Sequence, residues 1–415
     1  MEKLLHYTWR HKMLPLGTLT ITDGRQVEVV DPGMYNRTDS GPDFFNAKLK
    51  IDGMLWVGNV ELHIRASDWY RHHHDRDEAY NNVVLHVVEV ADMDVTTQDG
   101  KLLPTLELPI PSELKHDYAE LINTDRYPPC YKAIPHLSSL MVHSWMSALQ
   151  TERLEQKTVA MVERVKQMND SWDDGYFATL ARNFGFGINS EAFEIWAGNM
   201  PMRQADHHRD DLFQVEAFFL GQAGLIDKLK IKDEASGKGH ADYAREYAYL
   251  QKKFGLEPMN PLHWRYLRTR PQNFPHVRLL QLARMYHEQR TGLSQLLECR
   301  TVKEIGKLYG IKGSTLDLLI INTAIPTIFA YGRHHGKEQL CERAFDLLDQ
   351  LKAENNSIVR LWQECGLEAH SAGDSQALIQ LKKEYCDRKE CLRCRFGYEF
   401  LKGEFRNRFL AEEDK

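Results

Sequence analysis

The chain has 415 residues, 42% of them apolar and 27% charged, with a formal net charge of -6. That length excludes one compact core, the composition excludes intrinsic disorder, and the net charge leaves nucleic-acid binding to a local basic patch. The start, MEKLLHYTWRHKML, is broken by His6, Arg10, His11 and Lys12 and carries no leader pattern, so the seven cysteines do not imply a disulfide framework and the cytoplasm is the expected compartment.

The chain opens as mixed α/β. A helix over Glu2 to Lys12 precedes β-like runs at Thr18 to Thr22 and Gln26 to Val30, split by Asp23-Gly24. Strands at Asp43 to Lys50 and Met54 to Ile64 flank Ile51-Asp52-Gly53, a polar helix is expected over Asp68 to Asn81, and Val83 to Val88 reads as a buried strand with an edge strand at Leu102 to Ile110. Arg126-Tyr127-Pro128-Pro129-Cys130, with Pro135 after it, marks a linker.

From His136 onward almost everything is helical. Leu154, Thr158, Met161 and Val165 mark one helix face, and Leu212 to Leu220 is apolar nearly all round. Further helices fit 174–183, 190–198, 241–253, 276–290, 314–332, 337–352 and 374–385, with an exposed loop at Lys228 to Gly239. The longest apolar run, Leu318 to Tyr331, is shorter than the ~20 residues a bilayer requires and reads as a core helix, so no membrane partner is expected. The domains are therefore 1–125, an α/β domain with the order α-β-β-β-α-β; 126–135, a Pro-rich linker; and 136–415, a helical domain carrying the C-terminal cysteines.

The most informative stretch is SGPDFFNAKLKIDGMLWVGNVELHIRASDW, with Pro42-Asp43 and Glu61-x-His63 on neighbouring antiparallel strands. Two carboxylates can hold Mg²⁺ or Mn²⁺, and His63 can serve as base or ligand. Register decides whether they meet. A two-residue turn at Asp52-Gly53 sets Asp43 opposite Leu62, with Glu61 facing away. A three-residue turn, or a bulge with the same effect, sets Asp43 opposite Glu61 at about 5 Å between Cβ atoms.

This order of elements and carboxylates resembles the PD-(D/E)xK nuclease fold, the restriction-endonuclease-like arrangement, with His63 where that family carries lysine. The resemblance implies a divergent metal-dependent nuclease acting on DNA or RNA. Loss of the lysine leaves a second expectation, a non-catalytic nucleic-acid-binding or scaffold protein. Separately, GPDFFNAKL, VELHIRASDWYRHHH, AYNNVVLHVV and YCDRKECLRCRFG are similar to a full-length bacterial family of unknown function, which implies no activity.

Three other features carry chemistry. His72-His73-His74, with His63, Asp77 and His86, supplies ligand types for zinc or manganese, at most two of 72–74 serving one ion; the spacing matches no specific motif and fits a solvated helix start with a core histidine at 86. A zinc hydrolase built on His72 and His74 is the third expectation. Cys386-x₄-Cys391-x₂-Cys394 needs a fourth ligand, from Cys130, Cys365 or a histidine, to hold Zn²⁺ or an iron–sulfur cluster. Cys130 in the linker would staple the C-terminal end to the first domain, a plan that resembles some PD-(D/E)xK-type nucleases that process DNA ends. Finally, His263 to Arg290 carries six arginines against Glu288, so Arg268, Arg270 and Arg278 are candidate phosphate contacts and Trp264 a candidate stacking face. Glu216 is a candidate internal partner for an arginine.

Overall fold

A computed structural model describes residues 1–13, 19–36, 40–229 and 239–403. The chain divides into two units, one formed by Met1–Ser138 together with the chain from Lys382 on, the other by Ser139–Leu381. The C-terminal cysteine segment, expected within the helical domain, thus folds with the N-terminal one. Contacts distant in sequence tie it there: Tyr127 Oη donates to Asp387 at 3.0 Å and Lys389 Nζ to the Ile122 carbonyl at 2.6 Å.

The first unit is built on a seven-stranded mixed sheet preceded by helix α1 (Glu2–Arg10). Its strands are β1 (Leu19–Thr20), β2 (Gln26–Asp31), β3 (Met34–Tyr35), β4 (Phe44–Ile51), β5 (Met54–Arg65), β6 (Val83–Val90) and β7 (Thr105–Glu107), paired in the order β1-β2-β4-β5-β6-β7, with β3 also on β4. The pairs up to β4–β5 are antiparallel, whereas β5–β6 and β6–β7 are parallel. In β4, Phe44, Ala47, Leu49 and Ile51 are buried while Asn46, Lys48 and Lys50 face solvent, the alternation of a strand with one wet face. Leu4, Leu5 and Trp9 of α1 are fully buried, and the helix packs against β5.

The helix expected over Asp68 to Asn81 is cut short. Helix α2 covers only Asp68–Arg71, because His73 takes a left-handed conformation at φ 64° and two 3₁₀ turns follow. Trp69 anchors the segment, fully buried with its Nε1 bonded to the Thr96 carbonyl at 3.0 Å. Truncating such a side chain costs about 3–5 kcal/mol. A helix that was not foreseen, α3 (Ser112–Asn123), follows the sheet.

The second unit is helical. In α4 (Ser139–Gln167), Leu154, Thr158, Met161 and Val165 are buried on one face, as the spacing requires. The helix Leu212–Gln222 is a core helix, and Glu216 within it accepts from Tyr243 Oη at 2.7 Å. Ser314–His334 is the one described helix long and apolar enough to cross a membrane, and 67% of its apolar window is buried inside the unit, the signature of a core helix. The loop expected at 228–239 lies mostly outside the described residues.

Candidate metal centre

The turn at Asp52-Gly53 has two residues, both at positive φ (48° and 81°), and Ile51 pairs with Met54. Carried unchanged along the hairpin, that register would leave Asp43 opposite Leu62. It shifts once. Ala47 faces Gly58 but Phe44 faces Val60, so Phe45 and Asn46 together oppose Asn59. Asn46 adopts φ 55°, a conformation asparagine tolerates better than most side chains. The bulge restores Asp43 to a position opposite Glu61. Gly33 allows the bulged strand its close approach, since a Cβ there would lie 2.7 Å from the Phe45 carbonyl oxygen.

The two carboxylates meet in a reciprocal clasp. The Asp43 amide donates to Glu61 Oε2 at 2.9 Å, and the Leu62 amide donates to Asp43 Oδ2 at 2.9 Å. His63 shares Glu61's face of β5, and the parallel pairing brings His86 of β6 beside Glu61. The left-handed His73 sends His72 and His74 back to the same place. His63 Nε2 lies 3.0 Å from His72 Nδ1 and 3.7 Å from Glu61 Oε1, and His74 Nε2 lies 3.3 Å from Glu61 Oε1. The three imidazoles each offer a nitrogen within 4.8 Å of the others. A tetrahedral ion with bonds of ~2.0–2.1 Å has donors about 3.3 Å apart. Three edges are of that size, His63–His72, His63–Glu61 and His74–Glu61, so the three imidazoles can share one divalent cation, with Glu61 against His63 and His74 and Asp43 beside it.

His63 Nδ1 is 2.9 Å from His86 Nε2, an arrangement that leaves His63 Nε2 free to ligate when the proton sits on Nδ1. His74 stacks on Tyr80 with ring centroids 3.8 Å apart. His6, from α1, approaches Asp43 Oδ2 to 3.4 Å. His72 stands at the solvent edge, whereas Glu61 and His63 are only 5% and 1% exposed.

The electrostatics ask for a cation. Burial raises the pKa of both carboxyls, and for Glu61 the Asp43 charge adds to it. Burial, reinforced by the neighbouring imidazoles, pushes His63 down to about 2, and burial with His74 nearby pushes His86 down to about 3. His74 is also lowered, first by burial. The short His63–Glu61 approach is therefore no ion pair: the ring is neutral, the form in which histidine binds metal. Two crowded carboxyls among neutral imidazoles lack a positive charge, which a divalent ion provides.

Of the residues expected at the site, Asp43, Glu61, His63, His72 and His74 come together. The donor set differs from a simple Asp43–Glu61 bridge, because His63 and His74 approach Glu61 while His6 approaches Asp43. Asp77 is not part of it and instead caps a 3₁₀ turn through the Ala79 amide at 2.9 Å. His6 was missed; no local pattern could have found it, since only the packing of α1 on β5 brings it there.

The cysteines form a second group. Cys130, Cys386, Cys391 and Cys394 are all buried, and none is in a disulfide. Burial raises Cys130 and Cys386 well above the ordinary thiol value and Cys391 to about 12, and the neighbouring Cys394 adds to all three shifts. The x₂ spacing forms a single 3₁₀ turn, Cys391–Arg393, capped by Cys394. Gly397 is required beneath it, since a Cβ there would meet the Cys391 carbonyl oxygen at 2.2 Å. Cys365 belongs to the other unit.

The basic strip lies in the helical unit. Arg268 and Arg270 are exposed, and Arg278 is half-buried over the Phe186 ring, its Nη1 bonded to Gln281 at 2.8 Å. Trp264 is not a stacking face. It is 5% exposed in the core, with Nε1 bonded to the Ala223 carbonyl at 2.9 Å, so no base can reach its ring.

Fold and site together define a mixed-sheet protein with a histidine–carboxylate cluster and an appended helical unit. The chain belongs to the family DUF2851, proteins of unknown function, whose model matches residues 2–316 and 310–357. Comparison with curated proteins and with solved structures returns no match.

The bulge offers a direct test of the register. Deleting Asn46 is expected to leave the sheet folded, turn Asp43 to the other face, and weaken Mn²⁺ binding by ~10–100-fold, the range for losing a supporting group. Calorimetric titration alongside circular dichroism checks it.

Proposed function

We propose that this protein is a metal-dependent phosphodiesterase, a divergent nuclease acting on DNA or RNA. The observation that carries the reading is the three-histidine group His63, His72 and His74, with the buried carboxylate of Glu61 3.3–3.7 Å from two of its rings and a second carboxylate, Asp43, clasped to Glu61. The order α1, an antiparallel β2-β4-β5 meander, α2 and a parallel β6 supports a restriction-endonuclease-like core, with Asp43 and Glu61 where such a fold carries its acidic pair.

The imidazole-rich set favours Mn²⁺ or Zn²⁺ over Mg²⁺, which prefers oxygen donors and retains several waters. Bound there, such an ion supplies Lewis-acid polarisation of a phosphoryl oxygen and an acidified water. The three histidines, with Glu61 against them, would hold the ion. His86 orients His63. Asp43, whose pKa burial brings toward the neutral range, is placed to take a proton at its free oxygen, and His6 sits within reach of that carboxylate.

Incubating the purified chain with end-labelled DNA and RNA oligonucleotides in Mn²⁺, Zn²⁺ or Mg²⁺ tests the reading. Metal-dependent shortening that disappears in Glu61→Gln supports it. Binding with no cleavage by any variant would turn the reading into a binding or scaffold protein, and cleavage of small esters alone would turn it into a small-substrate zinc hydrolase.

A further inference from the structure

His6 belongs to two places at once. It touches Asp43, and it also lines a cavity of about 380 Å³ between α1 and the chain that joins Cys386 to Cys394. The walls are basic. Lys3 and Arg10 come from α1, and Arg388, Lys389 and Arg393 come from the inter-cysteine arm, against the single acid Glu390. Lys3, His6 and Arg10 are spaced at three and four residues, so they share one helix face over about 10 Å. Among the described residues, Lys3, Arg10 and Arg393 make no ion pair, whereas Arg388 bonds Glu384 at 2.9 Å and Lys389 is tied to the Ile122 carbonyl. Tyr35, 38% exposed, lies under Arg10 with the guanidinium carbon 5.7 Å from its ring centre, and Tyr118 lines the same cavity.

We propose that this groove is the docking track for a single-stranded nucleic acid whose backbone runs along α1 toward Asp43 and Glu61. The inference deepens the nuclease reading and rests on it. Lys3 and Arg10, about 10 Å apart along the helix, and Arg393 across the groove can each meet a phosphate of one strand. Tyr35 and Tyr118 are part-exposed aromatic rings in the wall, the kind of surface on which an unpaired base stacks and a duplex base does not. A cavity of this size admits a nucleotide or a strand end. The cysteine group holds the opposite wall, since Arg388, Lys389 and Arg393 lie between thiols that a single metal or cluster would tie together.

The test measures binding apart from cleavage. Fluorescent oligo(dT) and a matched duplex are titrated onto the full chain carrying Asp43→Asn, with and without Arg10→Glu plus Arg393→Glu. The expected result is preference for the single strand, at least tenfold weaker binding after charge reversal, and a salt slope shallower by about 0.7 per lost phosphate contact. The neutral pair Arg10→Gln plus Arg393→Gln, with an unchanged melting temperature, should give an intermediate loss. Affinity within twofold of the parent, or tighter duplex binding, overturns the track. If the unsubstituted chain binds the strand through these residues yet never cleaves it, the nuclease reading falls and the track stands. If it cleaves and charge reversal changes nothing, the track falls and the nuclease reading stands.

Discussion

Glu61→Gln is expected to abolish divalent-ion binding at the histidine cluster and to lower any metal-dependent cleavage by ~10³-fold, the equivalent of about 4 kcal/mol of transition-state stabilisation. The side chain is buried, faces a second carboxylate, and lies 3.7 Å from His63 and 3.3 Å from His74. Glutamine keeps the shape and removes the charge. The variant should fold as well as the parent, because the crowded acid is a burden on the metal-free protein rather than a support. The difference appears on adding metal. At a hundredfold excess over its dissociation constant, an ion stabilises the parent by about 2.7 kcal/mol, a rise of roughly 5–10 °C in melting temperature for a unit of this size. Glu61→Gln should show no such rise. Asp43→Asn should keep much of the thermal response and lose the cleavage, because Asp43 stands beside the donor set. Equal metal responses in parent and Glu61→Gln would exclude this carboxylate as a ligand.

The second large effect belongs to the cysteines. Cys130, Cys386, Cys391 and Cys394 are buried thiols whose charges would oppose one another, a grouping that a thiophilic metal relieves. The purified chain is expected to hold about one zinc ion or one iron–sulfur cluster at this group. Cys391→Ala and Cys130→Ala should both lose it and unfold roughly 10 °C earlier, corresponding to about 4 kcal/mol for an ion present at a thousandfold excess. Elemental analysis and visible absorbance separate zinc from iron, and melting curves read the stability. Cys365→Ala, in the other unit, should retain the metal. Full thermal stability and unchanged metal content in Cys130→Ala would exclude it as the fourth ligand.

The site was legible where short-range chemistry dictated it. Pro42-Asp43 and Glu61-x-His63 on adjacent strands, and three cysteines at fixed spacing, are readable because period-two alternation and ligand type do not depend on the rest of the chain. The register was not. Asp52-Gly53 suits the tight turn that forms, and that turn alone would have parted the carboxylates; the compensating bulge at Phe45-Asn46 has no glycine to announce it. The histidines show the same limit. A polar stretch from Asp68 reads as a helix, in which His72 and His74 would diverge, and only the left-handed His73 turns both toward Glu61. Trp264 failed for the opposite reason: an aromatic among arginines looks like a stacking face until tertiary packing buries it. The C-terminal segment joined the first unit through contacts spanning more than 250 positions, such as Tyr127 with Asp387, which no local pattern encodes.

The most direct test of the central claim is anomalous diffraction from crystals of the full chain soaked in Mn²⁺. One ion bonded to Glu61, His63, His72 and His74, with Asp43 in its second shell, is the predicted result. A cluster that stays metal-free at saturating Mn²⁺ and Zn²⁺, with Glu61 still clasped to the Asp43 amide, would contradict it.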